Sequence, residues 1–386
     1  MTERLYYTDS HTKEFTAVVT SCTPKDGVWE VILDRTAFFP GGGGQDPDTG
    51  TIGGIRAVGS GELNGDVLHR TEAPLTVGDS VACAIDWQAR FDRMQQHSGE
   101  HILSGILNKL YGVENVGFHM GEDDVVVDFS AFLTPEQLED AAARVNRAIW
   151  ENVPVTQAFP APEDLDAMTY RSKLDLRENV RIVTVEGYDV CACCAPHVKH
   201  TGEVGLLVLL GSSRLRGGVR VHMLAGRLAL ERLLRRSAET RELSNLFSVP
   251  PEETAAAAAK YAAGHEKLVY DHIALRRKLL QQSLSSLSPT EGNLLLFDEG
   301  LPASDLRDAV NHMVTLASGV SAAFSGNDET GYSYVMGANS DLLSKKAKEI
   351  NVPLQGRGGG RGSRIEGSLK ASRQEIEAFF DTFRLE

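Results

Sequence analysis

Along residues 1–88 the apolar positions come in short bursts. TAVVT (16–20), WEVIL (29–33) and SVACAI (80–85) each run five or six residues before Gly, Asp or Pro breaks them. Bursts at that spacing predict the strands of a small β-barrel or sandwich, with the barrel the expected form. Between them lies TAFFPGGGGQDPDTG (36–50). Four consecutive glycines do not suit a strand interior, so this stretch predicts a loop that brings backbone close to something.

From Trp87 the period lengthens. Residues 92–110 and 135–152 read as helices, the second with Leu138, Ala142, Val145 and Ile149 on one face. DVVVDF (124–129), 180–185 and 204–210 read as strands, so 89–225 is an α+β block. Residues 226–288 are helical in pattern, with Leu230, Leu233, Leu234 and Ala238, then Leu268, Leu275 and Leu279, at helical spacing. Pro250 and Pro251 interrupt them, which predicts a helical hairpin linking two globular parts. Residues 289–386 read as a small α/β unit: strands at 294–297, 320–324 and 332–336, a helix at 305–317, the glycine-rich loop QGRGGGRGS (355–363) and a closing helix at 373–380. The expected fold is α+β in four parts, 1–88, 89–225, 226–288 and 289–386.

At roughly 100–200 residues per domain, 386 residues suit such a division. No run of 18 apolar residues occurs, and MTERLYYTDSHTKEF has no apolar h-region, so a cytoplasmic protein is expected. The net charge of −14 argues against indiscriminate coating of nucleic acid and leaves room only for local basic patches. Of the five cysteines, Cys22 and Cys83 stand apart, while Cys191, Cys193 and Cys194 fall within four positions. An odd, bunched set is a poor disulfide framework and points to metal or redox chemistry.

His97 and His101, in MQQHSGEHIL, are four apart in a helical pattern, so one turn places both imidazoles on one face. The order is not HExxH, which excludes the metallopeptidase arrangement. CACCAPHVKH (191–200) adds Cys193 and, four residues on, His197. Three imidazoles and one thiolate suit Zn²⁺ in a tetrahedral array. Cys191 and Cys194 are competing ligands that spacing alone does not exclude; His200 reads as a surface residue.

These residues resemble a family. HSGEH followed by CCAPH and HVKHTGEVG looks like the editing domain of alanyl-tRNA synthetase, whose patterns are HxxxH and CxxxH with a T-G-E-[IV]-G run. TAFFPGGGGQDPDTG is similar to that domain's glycine-rich loop, and GRGGGRGSRIEGS to the glycine-rich motif of the DHH-associated C-terminal domain. With no room before the first strands for an aminoacylation domain, the chain resembles the freestanding alanyl-tRNA editing proteins, the AlaX group in its long form. Departures exist: CCAP stands where the synthetase has C-G-G-T, and four glycines fill the loop.

The resemblance implies a zinc-dependent aminoacyl-tRNA deacylase, a carboxylic ester hydrolase acting on Ser-tRNA(Ala) and on Gly-tRNA(Ala). It implies His97, His101, Cys193 and His197 as the Zn²⁺ ligands. Zinc can polarise the ester carbonyl, activate water or hold the amino group. Glu100, three after His97, can reach the rim of the site as a base or as a partner to a ligand. His119 matches a recurrent histidine of the family, and Gln45 matches the glutamine of its loop motif. Thr36 is the candidate reader of the serine hydroxyl. A phosphate-cradling loop is excluded, since no GK[ST] follows the glycines.

Basic residues cluster in four places. Arg214, Arg216, Arg220, Arg227, Arg232, Arg235 and Arg236 face only Glu231 between 213 and 236; Arg276, Arg277 and Lys278 form a second cluster. Lys345, Lys346 and Lys348 form a third, and Arg357, Arg361 and Arg364 a fourth. Four clusters in an acidic chain predict a directed patch, which the resemblance implies is for tRNA. The family's C-terminal domain binds the outer part of tRNA and can dimerise, so a homodimer through 289–386 is expected. Alternatives are a non-catalytic zinc-stabilised tRNA-binding module and an editor of Ser-tRNA(Thr). A phosphoesterase finds no acidic DHH motif; the nearest string is YDHI at 270–273.

Overall fold

The computed structural model describes residues 1–121, 123–172 and 179–385. The chain divides into two compact units, Met1–Leu243 and Ser244–Glu386.

In the first unit, six strands pair edge to edge until the last meets the first: β1 (Glu14–Lys25), β2 (Val28–Leu33), β3 (Gly50–Ile52), β4 (Ile55–Leu63), β5 (Asp66–Thr71) and β6 (Ser80–Ile85), in the order β1-β2-β5-β4-β3-β6. Alternation along these strands sends Ala17, Val19, Val31, Leu33, Ile52 and Cys83 inward around Phe38. The ring passes directly into helix α1 (Trp87–Tyr111), capped by Asp86 and ended by Gly112 in the left-handed conformation. The helix therefore starts five residues before the apolar period suggests.

A four-stranded sheet follows, from β7 (Asn115–Met120) and β8 (Val125–Phe129), then α2 (Pro135–Glu151) with a Thr134 capping box. A three-stranded sheet holds β9 (Val155–Ala158), β10 (Ile182–Val185) and β11 (Asp189–Ala192) in sequence order. The strand expected at 204–210 is β12 (Leu207–Leu215), which pairs with β13 (Gly218–Ala225) and completes the order β12-β13-β8-β7. The core of α1, α2 and the four-stranded sheet is one cluster that includes Ile102, Leu103, Val127, Val145 and Val221. Helix α3 (Gly226–Phe247) follows β13.

The second unit contains the long helix α4 (Thr254–Ser285), whose Leu280 and Leu284 pack with Leu306 and Val310 of α5 (Ala303–Met313). Its five-stranded sheet runs β14-β15-β16-β18-β17, from β14 (Leu294–Asp298), β15 (Ser321–Asn327), β16 (Gly331–Gly337), β17 (Arg357–Arg361) and β18 (Arg364–Leu369), and α6 (Arg373–Thr382) closes it. The glycine run read as a loop at 355–363 is thus an edge strand and its hairpin.

Candidate metal centre and its pocket

Helix α1 fixes half of the site. Its residues from Met94 to Leu107 are all buried. Arg90, fully buried, ties its first turns to the loop by donating from Nε to Asp48 (2.9 Å) and from Nη2 to the Ala37 carbonyl (2.6 Å). Gln96 locks onto β13, donating to the Ala225 carbonyl (2.6 Å) and accepting from the Ala225 N–H (2.8 Å). A helix held at both points presents His97 and His101, one turn apart, in a fixed direction.

The other half follows β11. Arg181 donates to the carbonyls of Cys193 and Ala195, each at 2.8 Å, and shapes the turn that carries Cys193 and His197. The Val198 N–H donates to Ser98 Oγ (3.2 Å), stitching that turn to α1.

The structure brings His97, His101, Cys193 and His197 together, with their ligand atoms all within 4.8 Å of one another. Cys193 Sγ lies 3.6 Å from His97 Nε2 and 3.4 Å from His197 Nε2. Each imidazole is tied down by its other nitrogen. His97 Nδ1 meets Gln45 Oε1 at 3.1 Å, His101 Nδ1 meets Asp189 Oδ2 at 3.1 Å, and His197 Nδ1 meets Ser98 Oγ at 3.0 Å. Protons on all three Nδ1 atoms leave the Nε2 lone pairs turned toward the thiol, the arrangement of metal-ligating histidines.

The electrostatics agree for Cys193 and His197, whereas at His101 burial is outweighed by the surrounding Cys191, Asp189 and Cys193, which hold the imidazole well above its ordinary value. Desolvation pushes the Cys193 thiol up, but His97 and His197 outweigh it and hold the thiol well below its ordinary value. Burial and the neighbouring His101 push His197 down to about 3. A thiolate and a neutral imidazole are the forms that ligate. Three nitrogens and one sulfur, nearly closed off from solvent, fit Zn²⁺ by donor chemistry. Cys191 has its thiol pushed up to about 11 by burial. It groups instead with His101 and Asp189, within 4.8 Å. Cys194 is exposed, and His200 is exposed beside Glu203.

The cluster opens into a cavity of about 550 Å³ lined by His97, His101 and Cys193 together with Gly43, Gly44, Phe118, Glu100, Asn115 and Arg171. Gly44 has φ +84°, and a Cβ there would fall 2.6 Å from the Phe118 ring, so only glycine lets the loop approach this wall. Phe118 in turn packs its ring 4.8 Å from that of His97.

Glu100 is buried in this wall. Its Oε1 accepts from Ser104 Oγ and from Asn115 Nδ2. Because a carboxylate only accepts, the Asn115 amide must turn its NH₂ toward Glu100. Its Oδ1 is then buried with no hydrogen-bond partner among the described residues, as is Gln45 Nε2.

Two expectations do not meet the site. Thr36 is fully buried inside the ring, where it donates to His69 Nε2 (2.9 Å) and accepts from the Phe38 N–H (3.1 Å), so its hydroxyl is already spent. His119 is exposed on β7 and does not line the cavity; strand alternation points it away from the face that Phe118 presents to His97. Four residues of the site went unread in the sequence. Ser98 sits inside the HSGEH motif itself, whereas Asp189, Arg171 and Asn115 carry no local signal. The first basic cluster is partly spent as well: Arg220 pairs with Asp128, and Arg227 with Asp92 and Glu231. Among the described residues, no helix is long and apolar enough to cross a membrane.

A family model described as the threonyl and alanyl tRNA synthetase second additional domain matches residues 180–222, the stretch that holds Cys193 and His197. The chain is 25% identical over 390 residues to the alanyl-tRNA editing protein Aarsd1 of Mus musculus, covering 96% of this chain and 95% of that one. It is 34% identical over 220 residues to the alanyl-tRNA editing protein AlaX-L of Pyrococcus horikoshii, covering 54% of each. It also matches the alanine–tRNA ligase of Ignicoccus hospitalis, at 28% identity over 397 residues, 97% of this chain and 42% of the ligase. The resemblance drawn from the motifs therefore extends over nearly the whole chain.

Proposed function

We propose that this chain, a relative of freestanding alanyl-tRNA editing proteins along nearly its whole length, removes a wrong amino acid from tRNA(Ala) by hydrolysing its ester. Serine is the substrate we assign first, and glycine second. The observation that carries the reading is the His97–His101–Cys193–His197 cluster opening into a cavity beside the glycine-rich loop.

These four residues would hold Zn²⁺, which supplies Lewis acidity toward an ester carbonyl or a water. Glu100 takes the proton of the attacking water. Its Oε1 is occupied by Ser104 and Asn115, which leaves Oε2 for that task. Water oxygen bonds to the acyl carbon, the ribose oxygen leaves with a proton, and free amino acid and tRNA result. Asn115 lines the cavity and donates to Glu100 Oε1, which fixes the carboxylate for its task. Gln45 orients His97 through its Oε1. The exposed Arg214 and Arg216 and the edge-strand Arg357 and Arg361 serve tRNA phosphates. A cytoplasmic location and a homodimer through residues 289–386 belong to the same reading.

The test is deacylation of Ser-tRNA(Ala), Gly-tRNA(Ala), Ala-tRNA(Ala) and Ser-tRNA(Thr) in parallel, with metal content quantified. Loss of the first two with survival of Ala-tRNA(Ala) and Ser-tRNA(Thr) is expected. Hydrolysis of Ser-tRNA(Thr) alone would move the activity to the threonyl system that the matched domain model also names. Survival of every ester while tRNA binds would leave a binding module.

A further inference from the structure

The three imidazoles of the cluster are not held alike. Gln45 and Ser98, which hold His97 and His197, are neutral; His101 alone is held by a carboxylate, that of Asp189. The Asp189 side chain is 1% exposed. A buried carboxylate needs compensation, and Arg171 supplies it through a two-pronged contact, Nε to Oδ1 at 2.7 Å and Nη2 to Oδ2 at 2.8 Å. Arg171 is itself pinned to β11: its N–H donates to the Val190 carbonyl (2.8 Å) and its carbonyl accepts from the Ala192 N–H (2.9 Å).

Helix α1 is shaped to receive this pair. Gly105 lies one turn after His101. A Cβ there would fall 2.5 Å from the Tyr188 carbonyl oxygen and 2.7 Å from Asp189 Cβ. Only a residue without a side chain lets β11 come close enough for Asp189 to reach His101. A missing side chain, a buried carboxylate and a pinned arginine thus converge on one ring nitrogen.

From this geometry we infer that Asp189, clamped by Arg171 and admitted by Gly105, is the positioning residue that sets how tightly His101 holds a metal. The carboxylate keeps the proton on Nδ1, turns Nε2 toward Cys193 and makes the imidazole a stronger donor. Arg171 stops the carboxylate from swinging toward the cavity and taking the ion itself. The inference rests on reading the four-residue cluster as a metal centre.

The experiment titrates Zn²⁺ into chelator-stripped full-length protein against a chromophoric competitor, with Co²⁺ absorption as a readout of coordination geometry. Asp189→Ala and Gly105→Ala should each weaken binding by about 10- to 100-fold and alter the Co²⁺ bands. Asp189→Asn should lose less than Asp189→Ala, because its amide oxygen can still accept from Nδ1–H. Gln45→Ala should also lose less than Asp189→Ala. If Asp189→Ala does not fold, Asp189→Asn and Arg171→Lys carry the test with losses of about tenfold. Wild-type affinity and unchanged bands in the folded variants would overturn the inference while leaving the metal centre intact. A wild-type chain that binds no Zn²⁺ would overturn the metal centre, and the inference with it.

Discussion

His69, inside the ring, and His97, His101 and His197, at the pocket, are all at most 4% exposed. Burial alone does not tell them apart; the bookkeeping of ring nitrogens does. His69 spends both nitrogens on the protein, Nδ1 on the Val31 carbonyl (3.2 Å) and Nε2 on the Thr36 hydroxyl. Each pocket histidine spends Nδ1 on a partner from another element and turns Nε2 toward a thiol that the others share. The first pattern completes a core, whereas the second leaves donors gathered around one point.

The sharpest way to break this comparison sets Cys193→Ala against His69→Phe. Cys193→Ala should lose its stoichiometric metal and at least about 100-fold of its Ser-tRNA(Ala) hydrolysis. His69→Phe strands the Val31 carbonyl and the Thr36 hydroxyl, and should cost about 1–3 kcal/mol in urea denaturation with kcat/KM per folded molecule unchanged. Equal loss of hydrolysis in folded His69→Phe would end the distinction.

A pH series sharpens it next. Burial lowers the pKa of His69 to about 4, against an ordinary 6.5, with only the Val31 hydrogen bond opposing. Between those values the unfolded chain binds a proton that the folded chain refuses. Stability is therefore full above about pH 6.5 and falls as the pH drops toward 4. This one group should cost about 2 kcal/mol between pH 6.5 and 5. The difference between wild type and His69→Phe in denaturation midpoints isolates it, and a flat difference across that window would refute the assignment.

The smallest effects come from the two hydroxyl partners. Ser98→Ala should weaken Zn²⁺ binding about tenfold with little change in the ring. Thr36→Val should cost about 1–2 kcal/mol of stability and leave metal affinity alone. Reversed results would place Thr36 at the site after all.

How much of this was legible in the sequence depends on how far each contact reaches. The pairs His97–His101 and Cys193–His197 are each four residues apart, so helix and turn geometry reveal them locally. Asp189 is 88 residues from the ring nitrogen it holds, and Asn115 meets Glu100 only where β7 lies against α1. No periodicity announces either. Thr36 was read from its place in a motif, but its hydroxyl was claimed by His69, 33 residues away. The two glycine runs show the same limit. At Gly41–Gly44 all four residues have positive φ, as a loop requires. In β17, glycine serves close approach instead: a Cβ at Gly358 would fall 2.4 Å from Tyr334 Oη. The pattern of glycines is alike, and only the neighbours differ.

The separation of 96 residues between His97 and Cys193 also orders events during synthesis. When α1 emerges from a ribosome its two imidazoles still lack the Cys193 thiol, and the fourth donor arrives only with residue 197. The sheet that steadies α1 is completed later still, when β13 delivers Ala225 to Gln96. Assembly of the four donors is therefore a late event in the birth of the first unit, and all four come from that unit. On the proposed reading of the cluster as a zinc centre, a cell short of zinc would accumulate finished chains with an unlocked pocket rather than chains stalled before α1 has formed.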